Sequence, residues 1–172
     1  VLSFGSDMLA GLNYIISLAE GSYSYDIASV NMSIGGGLYS SAATCDSFSG
    51  SMITAMTTLR THGINTVVSS GNDGSSSGIS WPACISTAVA VGSTTKVDNV
   101  SSFSNSNSLV ELLAPGSSIQ SSVPGSSYAF WSGTSMASPQ MAGALALLKE
   151  AAPEVGYQTL LDALKDTGVT IN

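Results

Sequence analysis

Positive charge is scarce in this chain. Its 172 residues include four lysines and arginines against eleven aspartates and glutamates, which gives a net charge of −7 and a sequence pI near 4.1. Because no basic patch is available to neutralise phosphates, nucleic acid and anionic membranes are not expected as partners. Long apolar runs are also missing, since none approaches the ~20 residues that span a bilayer. We therefore expect no nucleic-acid partner and no membrane partner.

Histidine and cysteine are nearly absent. The one histidine, His62, lies between Arg60-Thr61 and Gly63, at the end of an amphipathic pattern. We expect it to make a cation–dipole contact at a helix terminus or to be solvated. Cys45 and Cys84 are the only cysteines, so they form one disulfide bond or remain two buried thiols. The chain shows no signal peptide, as expected if its natural N-terminus lies upstream.

Glycine and small apolar residues dominate what is present. With 44% hydrophobic and 9% charged residues, the chain can bury a core, and its length suits one domain or a large piece of one. Short apolar runs alternate with helical periodicity, which predicts an α/β fold with a parallel sheet flanked by helices. Helices are predicted at 8–20, 48–61, 137–151 and 158–165; strands at 27–34, 64–69, 88–91 and 110–114; and a hairpin at 119–123 and 127–131.

The strongest chemical signal is the segment 133–139, Gly-Thr-Ser-Met-Ala-Ser-Pro, which precedes a run of small apolar residues. A serine at a helix N-terminus lies near unpaired backbone N–H groups and the positive end of the dipole, which stabilise charge on a carbonyl under attack. The pattern favours Ser135 as a nucleophile. The alternative is that Ser135 or Ser138 only caps the helix. Pro139 is expected in the first turn, where its missing N–H has no consequence.

Three further blocks lie upstream in order: 30–36 (VNMSIGG), 67–74 (VVSSGNDG) and 102–105 (SFSN), the last leading to 113–116 (LAPG). Together with 133–139 they resemble the subtilisin-like serine peptidases, the subtilases. The resemblance runs from Val1-Leu2 to about Thr167 and departs at Gln140-Met141, where many subtilases carry His-Val. It implies a subtilisin-like fold, incomplete at the N-terminus, in which residues 1–172 are the C-terminal portion of one catalytic domain.

The resemblance assigns the chemistry of an endopeptidase that acts through an acyl-enzyme. Ser135 is implied as the nucleophile, and the Asn72 amide as the donor that stabilises the oxyanion together with the serine's own amide. From the residues alone, Asn72-Asp73-Gly74 would be an ordinary turn. In subtilases the catalytic Asp and His lie on upstream segments, which the same precursor or a second chain would supply. These 172 residues alone are expected to be inactive, because loss of the histidine costs about 10⁶ in turnover in this family.

The same resemblance implies a groove for polypeptide substrates. An extended peptide is expected to add to the strand edge at 33–36, with Gly5-Ser6 on the peptide's other side. The primary specificity pocket is expected between Ser33-Ile34-Gly35 and Ser69-Ser70-Gly71, with Ser80 near its base. Because these residues are small, large apolar or aromatic substrate side chains are expected to fit.

Two structural features are also implied. The segment 78–85 and an earlier Cys-Asp are similar to those of some secreted bacterial subtilases, which implies a disulfide between Cys45 and Cys84 and an extracellular location. No cofactor is expected for the chemistry. A structural calcium ion is suggested at the carbonyls of Ser86 and Ala88 and the carboxylate of Glu111. The alternative is that Glu111 is a solvated surface residue.

Two other classes of function stay open. A non-catalytic pseudoenzyme would keep the peptide groove and never have a catalytic histidine. An α/β-hydrolase esterase also places a Gly-x-Ser before a helix. That fold requires glycine two residues after the serine, where this chain has Ala137, and a histidine later in the chain, where it has none.

Overall fold

Four parallel strands form the central sheet, in the order β1-β3-β5-β6. The computed structural model describes residues 4–21 and 25–171, so Val1-Leu2 of the resemblance lies outside the described residues. Met32 is aligned with Val68, and Ser69 with Val91, which brings the carboxyl ends of neighbouring strands to one edge of the sheet. The strands are β1 (Ser29–Met32), β2 (Gly36–Tyr39), β3 (Asn65–Ser69), β4 (Ile79–Trp81), β5 (Val89–Thr94), β6 (Leu112–Pro115), β7 (Ile119–Val123) and β8 (Ser127–Trp131).

Helices cover both faces of this sheet and create two hydrophobic clusters. Neighbouring residues of β3 belong to different clusters, Val68 to one and Val67 to the other, because side chains alternate along a strand. The first cluster includes residues of α1 and α3, and the second includes residues of α4 and α5. The helices are α1 (Gly5–Glu20), α2 (Ala42–Asp46), α3 (Gly50–Thr61), α4 (Thr134–Ala151) and α5 (Tyr157–Thr167). Within the described ranges, no helix has both the length and the hydrophobicity needed to cross a bilayer.

The α/β class, with a parallel sheet and flanking helices, is confirmed, but several elements differ from those predicted. The strand predicted at 27–34 is shorter, because residues 33–35 leave the sheet toward β4, where a side chain on Gly35 would lie 2.8 Å from the Trp81 carbonyl oxygen. Strands β2 and β4 pair antiparallel, and neither was predicted. The short helix α2 was also not predicted. Both strands are too short, and β2 too rich in glycine, to show periodicity.

The helix predicted from residue 137 begins at Thr134, which changes the position of the nucleophile motif. Ser135 lies within the first turn, and Gly133 occupies the N-cap position, so neither Ser135 nor Ser138 is the cap. Pro139 lies in the second turn rather than the first, inside the helix. Its missing N–H therefore removes a helical hydrogen bond, with consequences for the Ser135 carbonyl.

Candidate active site

Ser135 lies at the N-terminus of α4, opposite the end of β1. Its side chain is half-buried, and its Oγ donates to the carbonyl oxygen of Ser33 at 3.4 Å. The residue lines two adjoining cavities of about 540 and 780 Å³. The hydroxyl is therefore open to a cleft and not sealed inside the protein.

Asn72 lines both of these cavities and also accepts hydrogen bonds from Thr134, the first residue of α4. Its Oδ1 accepts hydrogen bonds from Thr134 N at 2.8 Å and from Thr134 Oγ1 at 3.0 Å. The Thr134 hydroxyl in turn accepts from Gly71 N at 3.2 Å. Because the amide oxygen is held by Thr134, the Asn72 Nδ2 group is the end available to donate to a ligand. The Asn72 side-chain amide and the unpaired backbone N–H of Ser135, in the first turn of α4, can therefore both donate hydrogen bonds to a ligand in this cleft.

The smaller cavity brings together most of the residues predicted to bind substrate. Ser70 is not among its lining residues: it is fully buried, and its Oγ donates to the Asn105 carbonyl oxygen at 3.0 Å. Gly5 and Ser6 line a separate cavity of about 420 Å³ beside Trp81. Met8, near the start of α1, lines the smaller cavity instead. The other residues that line the smaller cavity include Ser33, Ile34, Gly35, Ser69, Gly71 and Ser80.

An acidic side chain that the sequence reasoning did not select also lines the smaller cavity. Asp73 is exposed, and its Oδ2 accepts from Asn105 Nδ2 at 3.0 Å. Asn105 is fully buried, and its Oδ1 accepts from Asp73 N and Ser75 N at 2.9 and 3.1 Å. Asn105 therefore fixes the loop that carries Asn72. The pocket expected from the sequence, one lined by small residues and open to large apolar or aromatic side chains, did not include this carboxylate.

The larger cavity has an aromatic wall that sequence reasoning also missed. Phe130 and Trp131, at the end of β8, and Met136 of α4 line it together with Ser135. Both aromatic side chains are more than half exposed. The two runs that flank Pro124-Gly125-Ser126 predicted a hairpin correctly, but nothing in them indicated that the hairpin borders the cleft.

The histidine and the two cysteines are not among the residues that line the cleft beside Ser135. His62 follows α3, and its Nε2 is 3.3 Å from Glu20 Oε1, so it lines neither cavity of the cleft. Cys45 and Cys84 form a disulfide, which confirms that prediction. The bond joins α2 to the segment after β4, where Cys84 N donates to the Ser80 carbonyl oxygen at 3.1 Å.

Two of the residues suggested for calcium have polar contacts within the protein. Glu111 forms an ion pair with Lys165 of α5. Ser86 N donates to Asp46 Oδ1 at 3.1 Å. Across residues 4–21 and 25–171, no group of three or more histidine, cysteine, aspartate or glutamate side chains could hold a metal ion. Calcium at Ser86, Ala88 and Glu111 stays an untested prediction, and no step of the chemistry depends on it.

Comparison with known proteins agrees with this arrangement. The model of the subtilase family matches residues 6–170. Subtilisin BL of Lederbergia lenta is 41% identical over 117 residues, covering 68% of this chain and 43% of that protein. The subtilisin-like serine protease AsES of Sarocladium strictum is 38% identical over 167 residues, covering 95% and 40%. The crystal structure of a cold-adapted subtilisin-like serine proteinase superposes with a TM-score of 0.79 at 30% identity, covering 96% of this chain and 55% of that one. The chain spans about half the length of these relatives.

Proposed function

The chain belongs to the subtilase family of serine peptidases, and from this we propose that it is the part of an extracellular serine endopeptidase that holds the nucleophile. Its polypeptide substrates would lie in the cleft beside Ser135. The observation that carries the proposal is the contact between Asn72 and Thr134. That contact turns a side-chain amide donor toward the same cleft as the Ser135 hydroxyl.

The reaction proposed is acyl transfer. Ser135 Oγ attacks the carbonyl carbon of the scissile bond, and its proton passes to a base. Negative charge on the carbonyl oxygen is then stabilised by Asn72 Nδ2 and by the backbone N–H of Ser135, aided by the dipole of α4. The amine leaves with a proton, and water later hydrolyses the acyl-enzyme.

The base is proposed to come from outside these 172 residues. A serine hydroxyl needs a base within hydrogen-bond reach, and in subtilases this base is a histidine; His62 lies beside Glu20, on neither cavity of the cleft. We infer that a segment with the catalytic Asp and His completes the site, and that these 172 residues alone have essentially no turnover. The competing function is that of a peptide-binding pseudoenzyme, because the same cleft could bind a peptide without cleaving it.

The test uses the full-length protein that contains this chain. A fluorophosphonate probe should label it on one serine, and Ser135→Ala should abolish both labelling and peptide hydrolysis. Ser122→Ala, an exposed serine on β7 away from both cavities, is the matched control and should retain both. Peptide binding without labelling would favour the pseudoenzyme. Labelling that survives Ser135→Ala would refute the assignment of the nucleophile.

A further inference from the structure

The backbone carbonyl of Ser135 lacks its helical partner. In an α-helix this oxygen accepts from the N–H four residues later, but that residue is Pro139, which has none. The proline ring also crowds the carbonyl of the residue four positions earlier and turns it away from the helix axis. The nucleophile residue thus needs a hydrogen-bond donor from another part of the fold.

The side chain of Ser33 supplies this donor. Its Oγ donates to the Ser135 carbonyl oxygen at 2.9 Å, across 102 residues of sequence. Asn31 Nδ2 donates to the same Oγ at 2.9 Å, and Ser138 Oγ lies 3.1 Å from it. A hydroxyl has one proton to give and two lone pairs, so all its hydrogen-bonding capacity is used. The hydroxyl is committed to α4 and is not free to bind substrate.

A second contact runs in the opposite direction between the same two residues. Ser135 Oγ donates to the carbonyl oxygen of Ser33 at 3.4 Å. Residue 33 therefore contacts both the backbone carbonyl and the side-chain hydroxyl of residue 135, which restricts the position of its Cα and the direction of its Oγ. Small displacements of a reacting atom reduce the rate steeply, because attack requires aligned atoms.

We propose that the hydroxyl of Ser33 is a positioning residue for the nucleophile, replacing the helical hydrogen bond that Pro139 removes from the Ser135 carbonyl. This inference rests on the proposed role of Ser135. Ser33 lines the smaller cavity, and its backbone is retained when the hydroxyl is removed. Loss of the hydroxyl should therefore lower kcat while leaving KM for short peptides unchanged.

The experiment is a double-mutant cycle in the full-length protein. Ser33→Ala should lower kcat about tenfold, the usual net worth of one hydrogen bond. Pro139→Ala restores an N–H that can donate to the Ser135 carbonyl, so the double variant Ser33→Ala/Pro139→Ala should recover most of the lost kcat. Ser33→Thr, which keeps the hydroxyl, should lose less than Ser33→Ala. Ser122→Ala, which removes a serine hydroxyl away from both cavities, is the matched control and should leave kcat unchanged.

The outcomes separate the two proposals. If Ser135→Ala abolishes probe labelling but Ser33→Ala leaves kcat unchanged or raises only KM, the positioning role is refuted and the proposed function stands. A double variant no faster than Ser33→Ala also refutes it. If Ser135→Ala retains labelling and activity, the proposed function itself fails. Urea unfolding of each variant shows whether a loss of folded protein accounts for a lower rate, which would also count against the proposal.

Discussion

Removal of the Cys45–Cys84 disulfide should destabilise the protein by an amount that follows from the loop it closes. The two cysteines are 39 residues apart, and both side chains are buried in the first hydrophobic cluster. In the chain-entropy model, a loop of this length stabilises the folded state by about 4 kcal/mol. Replacing both residues by alanine also removes buried sulfur atoms, which acts in the same direction.

The assay compares the full-length protein with its Cys45→Ala/Cys84→Ala variant, both in a Ser135→Ala background that prevents self-digestion. For a folded unit of about 300 residues, roughly twice the length of this chain, 1 kcal/mol corresponds to about 1.6 °C in Tm, so the variant should melt about 6 °C lower. Urea unfolding should give a matching loss of free energy. Unfolding of the parent protein in the presence of a reductant is the control and should approach the variant's value.

The reasoning would be refuted if the variant lost less than about 1 kcal/mol of unfolding free energy relative to the parent, provided that titration finds no free thiol in the parent. Such a result would mean that the loop is already restricted in the unfolded chain or that the bond strains the folded one. The KM for a peptide substrate gives a second measurement, because the disulfide lies next to a residue of the smaller cavity. Cys84 N donates to the carbonyl of Ser80, which lines the smaller cavity, so the variant in an active background should show a higher KM.

Three further predictions concern the cleft. Asn72→Asp keeps an oxygen that can accept from Thr134 but loses the amide donor, so kcat should fall about 10²- to 10³-fold with little change in KM, measured with a chromogenic peptide. Asp73→Asn removes the carboxylate from the smaller cavity, so the kcat/KM ratio for lysine over phenylalanine at the cleaved position should fall about fivefold. Gly71→Ala should lower the free energy of unfolding by about 1–3 kcal/mol or more, because φ is +107° and a Cβ would collide with Ser80 Oγ and Asn105 Nδ2. Gly143→Ala, where a Cβ meets nothing within 4 Å, is its control in urea unfolding and should be neutral or stabilising.

Local patterns in the sequence predicted the elements that are long and periodic. Apolar runs or helical spacing identify the strands β3 and β5 and the helices α1, α3 and α4. The turn residues 124–126 between two short runs identify the hairpin β7-β8. The elements that were missed, β2, α2 and β4, are all short. Strand β2 has two glycines in four residues, and its pairing with β4 depends on a close approach of two backbones that no local pattern encodes.

The start of α4 shows that local sequence does not always set where a helix begins. Sequence reasoning placed the helix at 137, because serine and threonine are typical of caps rather than of helix interiors. The structure extends it to Thr134, because Asn72 accepts from the first-turn amide and hydroxyl in place of a local cap. That partner is 62 residues away in the sequence, so the helix boundary was set by tertiary contact.

By itself, the sequence determined the family and the nucleophile candidate, because each depends on short runs of consecutive residues. It limited the two cysteines to one possible bond, which the resemblance favoured and the structure contains. The tertiary structure alone decided which groups meet at the cleft. The Asn105–Asp73 contact spans 32 residues, the Asn72–Thr134 contact 62 and the Ser33–Ser135 contact 102. Each of these contacts depends on parallel strands that end at the same edge of the sheet. The register between the strands aligns those ends, and the register is a property of the folded sheet.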